Sequence, residues 1–280
     1  MHTCKTGKWA VAILSAQQAD GTWGHVFHSM AQPTGKPLTT EQALRRLCAL
    51  GFTCQDVSNR RCVDTMAARL RGERKIDTYW EKGIDWAMFE PLMLAAWIRR
   101  FDPSQPDALA YAKRWAHVVE IAFSTDTFDE SAWNTAYESE FHRKEHHPRP
   151  LGLWAFYHGM LLPNVLSPAV ETAFVQHILH HGMYYIHPTP LIHPPATLAS
   201  KQASYWLSAL EILADYPHAR RELAFAAAWL HMSADEDGQW DFGPQANDKV
   251  YFPLSDSWRN QVIRKADCTE RVQRFLEKIN

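Results

Sequence analysis

Gln17-Gln18-Ala19-Asp20-Gly21-Thr22-Trp23-Gly24 returns, altered, as Asp235-Glu236-Asp237-Gly238-Gln239-Trp240-Asp241-Phe242-Gly243. Each copy follows an apolar helical pattern. Residues 8–18 are mostly apolar and rich in good helix formers. Residues 219–232 place Leu223, Ala226, Ala227 and Leu230 at spacings of three and four, one face of a helix. In both copies Asp-Gly then stops the helix, because Asp bonds its own turn and Gly takes positive φ without a Cβ clash. Trp23 and Trp240 follow two residues later, placed to fold back and cover the helix end with a large apolar surface. The same stop after two similar helices points to a helical repeat.

Gln17-x-x-x-Gly21-x-Trp23 resembles the repeat motif of the squalene–hopene cyclase and prenyltransferase superfamily. In that family a helix ends in Gln, a spacer and Gly-x-Trp before the next helix begins. The resemblance implies an all-α fold, an α/α toroid of about five to six helical hairpins in inner and outer rings. The second copy keeps only Gly-x-Trp, with Ala234 in the place of the motif's Gln. Gly152-Leu153-Trp154 reads as a third, eroded copy.

Outward from these stops, the pattern predicts helices over 8–18, 41–50, 57–71, 86–100, 107–123, 131–141, 151–161, 168–181, 198–214, 217–232 and 266–279, and no strand. Thr39 or Thr40, Asp85, Asp129 and Ser167 are predicted N-caps. Pro91 falls early in the fourth helix, which therefore starts later or kinks. Gly182 to Pro195 and Pro244 to Arg264 read as irregular. No shift in composition marks a boundary, so residues 1–280 are read as a single domain. Five two-helix repeats of roughly 40–47 residues fit between Trp23 and Trp240.

A formal net charge of −2 gives no electrostatic case for nucleic acid. No apolar run approaches the ~20 residues of a membrane span, and the N-terminal pattern is not that of a signal peptide. Five cysteines without Cys-x-x-Cys spacing suit a reducing cytoplasm. Cys48, Cys54 and Cys62 read as buried thiols. There is no phosphate-binding glycine loop and no nucleophile elbow, so no cofactor is assigned.

Triterpene cyclases of the resembled superfamily protonate an alkene with Asp-x-Asp-Asp, and this chain has no Asp-Asp pair. The magnesium–diphosphate Asp motif of isoprenoid synthases is also missing, so the resemblance carries over fold rather than cyclase chemistry. Related protein prenyltransferase β subunits bind zinc through Asp, Cys and His. Here Asp267 and Cys268 are adjacent, which departs from that spacing. His177 and His181, four apart on a helix, suit two metal ligands, but a helix C-terminus favours histidine without any metal. No metal site is assigned.

Two irregular links combine acids and aromatics. Asp77-Thr78-Tyr79-Trp80-Glu81 is followed by Asp85-Trp86, and Val250 to Arg259 includes Asp256, Trp258 and Arg259. Tyr184 and Tyr185 offer a facing wall. Paired carboxylates beside stacking aromatics are the equipment of carbohydrate-active toroids, whereas the competing reading has Trp80 and Trp86 packing between hairpins. The expectation is a small molecule bound in an aromatic-lined central cavity. Asp77 and Asp256 would be acid or base groups, and Tyr79, Trp80, Trp86, Tyr184, Tyr185, Trp258 and Arg259 would line the site. The alternatives are a non-catalytic scaffold or regulatory binding protein, and a carbohydrate-active toroid enzyme. The sequence names no protein partner.

Overall fold

The computed structural model describes residues 4–24, 27–28, 38–76, 78, 82–144, 151–246 and 257–280. Among these residues there are eleven α-helices and no β-strand. They are α1 (Lys8–Ser15), α2 (Thr40–Ala49), α3 (Val57–Leu70), α4 (Trp86–Phe101), α5 (Pro106–Ala122), α6 (Glu130–Phe141), α7 (Phe156–Leu161), α8 (Pro168–His181), α9 (Lys201–Leu213), α10 (Ala224–Met232) and α11 (Gln261–Ile279). No described helix is long and apolar enough to cross a membrane.

The two Asp-Gly-x-Trp stretches form the same clasp. Trp23 Nε1 donates to the Ile13 carbonyl at 2.7 Å, and Trp240 Nε1 donates to the Leu230 carbonyl at 2.7 Å. Each indole thus reaches ten residues back to a carbonyl in its helix's last turn, adding a second donor to the backbone N–H of Ala16 or Ser233 that already bonds it. The turns match as well. Gln18 N–H bonds the Thr22 carbonyl and Gly21 N–H bonds the Gln18 carbonyl; Asp235 N–H bonds Gln239 and Gly238 N–H bonds Asp235. A threonine hydroxyl on a neighbouring helix then holds the tryptophan backbone. Thr40 Oγ1 accepts from Trp23 N–H at 2.9 Å and donates to its carbonyl, and Thr269 Oγ1 accepts from Trp240 N–H at 3.0 Å.

Gln17 explains why the first copy keeps its glutamine. Its Nε2 donates both to the Gly21 carbonyl and to the Ser58 carbonyl of α3, pinning the turn onto that helix. The second copy, with Ala234, uses a surface ion pair instead, between Lys265 and Asp235. Gly152-Leu153-Trp154 does not form a clasp of this kind. It makes a short turn, and the Trp154 carbonyl accepts from Tyr184 N–H.

Helix α4 is the centre of the packing. Residues 92–99 are buried without interruption, so the helix is enclosed on every side by α3, α5 and α7. It runs through Pro91 from an N-cap at Asp85, whose carboxylate accepts from Ala87 N–H. Thr39 caps α2 in a complete capping box with Gln42.

Some predicted boundaries moved, each for a local reason. Helix α11 starts at Gln261, five residues earlier than predicted, because the Asn260 side chain accepts from the N–H groups of Val262 and Ile263. The predicted 217–232 helix opens as a 3₁₀ turn, Pro217–Leu223, before α10. Ser167 occupies the N-cap position of α8 without capping it; its hydroxyl donates to Glu120 instead.

Candidate functional site

A cavity of 310 Å³ lies between α2, α4, α7, α9 and α11. Its apolar wall is Trp97, Phe156, Met160, Ile186, Ile212 and Phe275. Set into that wall are five cationic side chains: Arg45 of α2, Arg100 of α4, and Arg271, Arg274 and Lys278 of α11. Positions 271, 274, 275 and 278 follow the three-four spacing of a helix face turned inward.

Arg45 lies 4.7 Å over the Phe156 ring and pairs with Glu41 at 3.2 Å. Glu41 is completely buried. Its Oε1 also accepts from Trp97 Nε1 at 3.0 Å and from the Tyr157 hydroxyl at 3.0 Å. Burial, and then the Glu41 charge, raise the Tyr157 phenol well above its ordinary value, so it stays a proton-bearing donor. These bonds tie α2, α4 and α7 together behind the cavity wall.

On the opposite side, Arg271 makes two bonds to Glu211 at 2.7 and 2.9 Å, and two more to the Ser204 and Ser208 hydroxyls. Arg100 and Lys278 share one carboxylate, Asp215. Burial works against the Arg100 charge, but Asp215, Cys48 and Glu211 together outweigh it and the guanidinium stays protonated. Arg274 differs from the others. Its Nη2 reaches the Ala49 carbonyl at the end of α2 at 3.4 Å, and its Nε is buried with no hydrogen-bond partner.

The clasps place this machinery. Thr40 grips Trp23, and five residues later on the same helix comes Arg45; Thr269 grips Trp240, and five residues later comes Arg274. Cys48, read from sequence as a buried thiol, is half-buried and lines the cavity. Burial raises its pKa, more than offsetting the neighbouring Arg100, so it stands as a neutral thiol. Cys54 is also half-buried, while Cys62 matches its reading as buried.

The predicted site residues are described only in part. Asp77, Tyr79, Trp80 and Asp256 lie outside the described residues. Trp86 packs on Phe89 with ring centroids 5.2 Å apart, and Phe89 packs on Tyr157 at 5.4 Å. Tyr185 stands 6.0 Å from Phe156 and 6.4 Å from Tyr157, with Tyr184 beside it at 4.1 Å. Trp86, Tyr184 and Tyr185 therefore join one string of aromatic rings that passes behind the cavity wall. Trp258 does not belong to that string. It is buried, donates to the Pro244 carbonyl at 3.1 Å, and supports Arg264, which holds Asp241 at 2.7 and 2.8 Å. Arg259 is exposed beside it.

Of the α8 histidines, His177 packs inward while His180 and His181 are exposed. His177 stacks on His181 at 4.1 Å and lies against Phe128 at 4.8 Å. Burial and the two neighbouring histidines lower the His177 pKa to about 4. His181 Nδ1 is taken up by the His177 carbonyl of its own helix. Among the described residues no group of three or more His, Cys, Asp or Glu side chains is placed to hold a metal ion.

No protein-family model, no curated protein and no solved structure matches this chain.

Sequence reasoning missed the arginines. They were available as a signal: cations at 271, 274 and 278 share a stripe with buried Phe275, where a purely structural helix would place apolar residues.

Proposed function

We propose that the chain is an α/α toroid of five hairpins that binds a compact small molecule in its central cavity. The observation that carries this reading is the origin of the cavity wall. It draws on α2, α4, α7, α9 and α11, each preceded in the chain by helices that do not line the cavity, α1, α3, α8 and α10 singly and the α5–α6 pair before α7, an alternation that inner and outer rings would produce. Arg274 of α11 reaches Ala49 of α2, which brings the last helix back to the start of the ring. The resemblance carried by Gln17, Gly21 and Trp23 points the same way.

A volume of 310 Å³ sits at the small end of the ~300–1,000 Å³ range of ligand pockets and favours a compact ligand over one of triterpene size. The carboxylates around it, Glu41, Glu211 and Asp215, are each paired with a cation. Each is already engaged in an ion pair, which leaves none of the three free to serve the ligand as an acid, so binding is favoured over acid catalysis. The test is native mass spectrometry of the protein purified from its own cells, alongside Ile212→Trp, which narrows the cavity with a bulky ring. A retained small molecule that the folded variant lacks supports the reading. A wild-type protein without any adduct, or an adduct that survives the narrowed cavity, refutes it.

A further inference from the structure

The cavity has a charge imbalance at one end. Arg100, Lys278 and Arg274 all line it, yet Arg100 and Lys278 share the single carboxylate of Asp215 and Arg274 has none. Three cations against one carboxylate leave two positive charges beside an apolar wall. Uncompensated charge next to low-dielectric surface is costly unless something neutralises it.

Arg274 could simply complement the carbonyl end of α2. That role uses one of its five N–H donors, at a distance of 3.4 Å, and leaves Nε buried and unpartnered. A guanidinium is planar and donates two parallel bonds to a phosphoryl or carboxylate group, so an anion in the cavity would complete its bonding. The two other cations of the lining, Arg45 and Arg271, are each engaged by a carboxylate of their own, Glu41 and Glu211, while Phe156, Met160, Ile186, Ile212 and Phe275 suit a short hydrocarbon body.

We infer that the ligand is an organic dianion, a phosphomonoester headgroup on a short apolar body, with the headgroup received by Arg274 between Arg100 and Lys278. This rests on the cavity-binding reading above. The two excess charges match a phosphomonoester at neutral pH, and one cavity, open to solvent on one side, joins the basic end to the apolar one.

Isothermal titration calorimetry on the full chain, with hexyl phosphate, hexanoate, 1-hexanol and inorganic phosphate, tests it. Hexyl phosphate should bind at least about tenfold more tightly than 1-hexanol, with hexanoate between them, and should weaken as salt rises. Arg274→Gln, checked for an unchanged melting temperature, should cost hexyl phosphate about tenfold and leave 1-hexanol unaffected; Arg274→Lys should recover part of the loss. Ile212→Trp should abolish binding of both. Equal affinities for hexyl phosphate and 1-hexanol, both lost in Ile212→Trp, would overturn the anion assignment and leave the cavity reading standing. Inorganic phosphate binding as well as hexyl phosphate and indifferent to Ile212→Trp would place the anion on the surface and overturn it too. An Arg274→Gln variant that binds hexyl phosphate like wild type would do the same. If no probe binds, both readings fall.

Discussion

Trp23→Ala and Trp240→Ala test the clasp most directly. Both rings are buried, at 1% and 5% exposure. A buried tryptophan removes roughly 150–250 Å² from water, which at ~25 cal/mol per Å² sets an upper bound of about 4–6 kcal/mol. Truncation also opens a cavity and strips the Ile13 or Leu230 carbonyl of its indole donor. Large-to-small changes of this kind cost about 3–5 kcal/mol, and that is the expected loss at each site. Trp23→Phe and Trp240→Phe retain most of the apolar burial and lose the N–H···O bond, so each should cost about 1–2 kcal/mol. Because the two clasps make the same bond at the same reach, the paired variants should agree to within about 1 kcal/mol. Urea unfolding followed by circular dichroism gives these values, provided the dependence on urea concentration stays the same across the series. Losses below about 1 kcal/mol at both alanine variants would refute the clasp, and with it the claim that these stretches are structurally equivalent.

The glycines of the clasps should separate. Both have positive φ, but a Cβ on Gly21 would lie 2.8 Å from the Arg61 backbone, while Gly238 faces open space. Gly238→Ala should therefore cost about 1–2 kcal/mol by thermal or urea unfolding, and Gly21→Ala clearly more. Glu41→Leu should destabilise by about 3–5 kcal/mol because it orphans buried donors on Arg45, Trp97 and Tyr157, whereas Glu41→Gln, which keeps an acceptor oxygen, should lose less; equal losses would refute the hydrogen-bonding role. His158 is fully buried, edge-on to Trp115 at 4.5 Å, and burial lowers its pKa to about 3, offset only in part by the Gly152 backbone. Below the unfolded value near 6.5 the unfolded chain binds a proton that the folded chain refuses, so stability falls with acidification between about pH 6.5 and pH 3. Replacing it, as His158→Phe, should flatten the slope of stability against pH in that window by about 1.4 kcal/mol per unit, and an unchanged slope would show that His158 does not carry it.

The helices were legible in the sequence because their signals are local. Thr39, Asp85 and Asp129 cap as their residue types predict, and Leu223, Ala226 and Leu230 of the predicted apolar face are buried. Asn260 was overlooked as a cap because it lies in a stretch dominated by aromatics and polar residues, which masked the helix start. The site was much less legible. Aromatics in irregular links drew attention to Trp258, but its indole is spent on the Pro244 carbonyl and its own carbonyl on Arg264. Trp97 and Phe156 line the cavity from within regular helices, where an aromatic is indistinguishable by sequence from any other core residue. The arginines were hidden for the converse reason. A charge on an amphipathic helix reads as solvent-facing unless its phase is compared with the buried positions around it. Glu41 is the extreme case: it sits in the first turn of α2, where an acidic residue is ordinary, and only the chain fold brings Trp97, Arg45 and Tyr157 to it.

The clasps also bear on the cavity, through the rotation of the helices they hold. Successive residues of an α-helix are about 100° apart, so a residue five positions on is turned by about 140° from its reference. Thr269 therefore faces Trp240 while Arg274 points to nearly the other side of α11, and Thr40 and Arg45 stand in the same relation on α2. A threonine that bonds both the N–H and the carbonyl of one tryptophan cannot rotate without breaking the pair. Fixing the outward face of each helix in this way fixes which residues enter the cavity. The repeated stretch supplies no chemistry of its own, yet it sets the angle at which Arg45 and Arg274 meet the cavity, from helices at opposite ends of the chain.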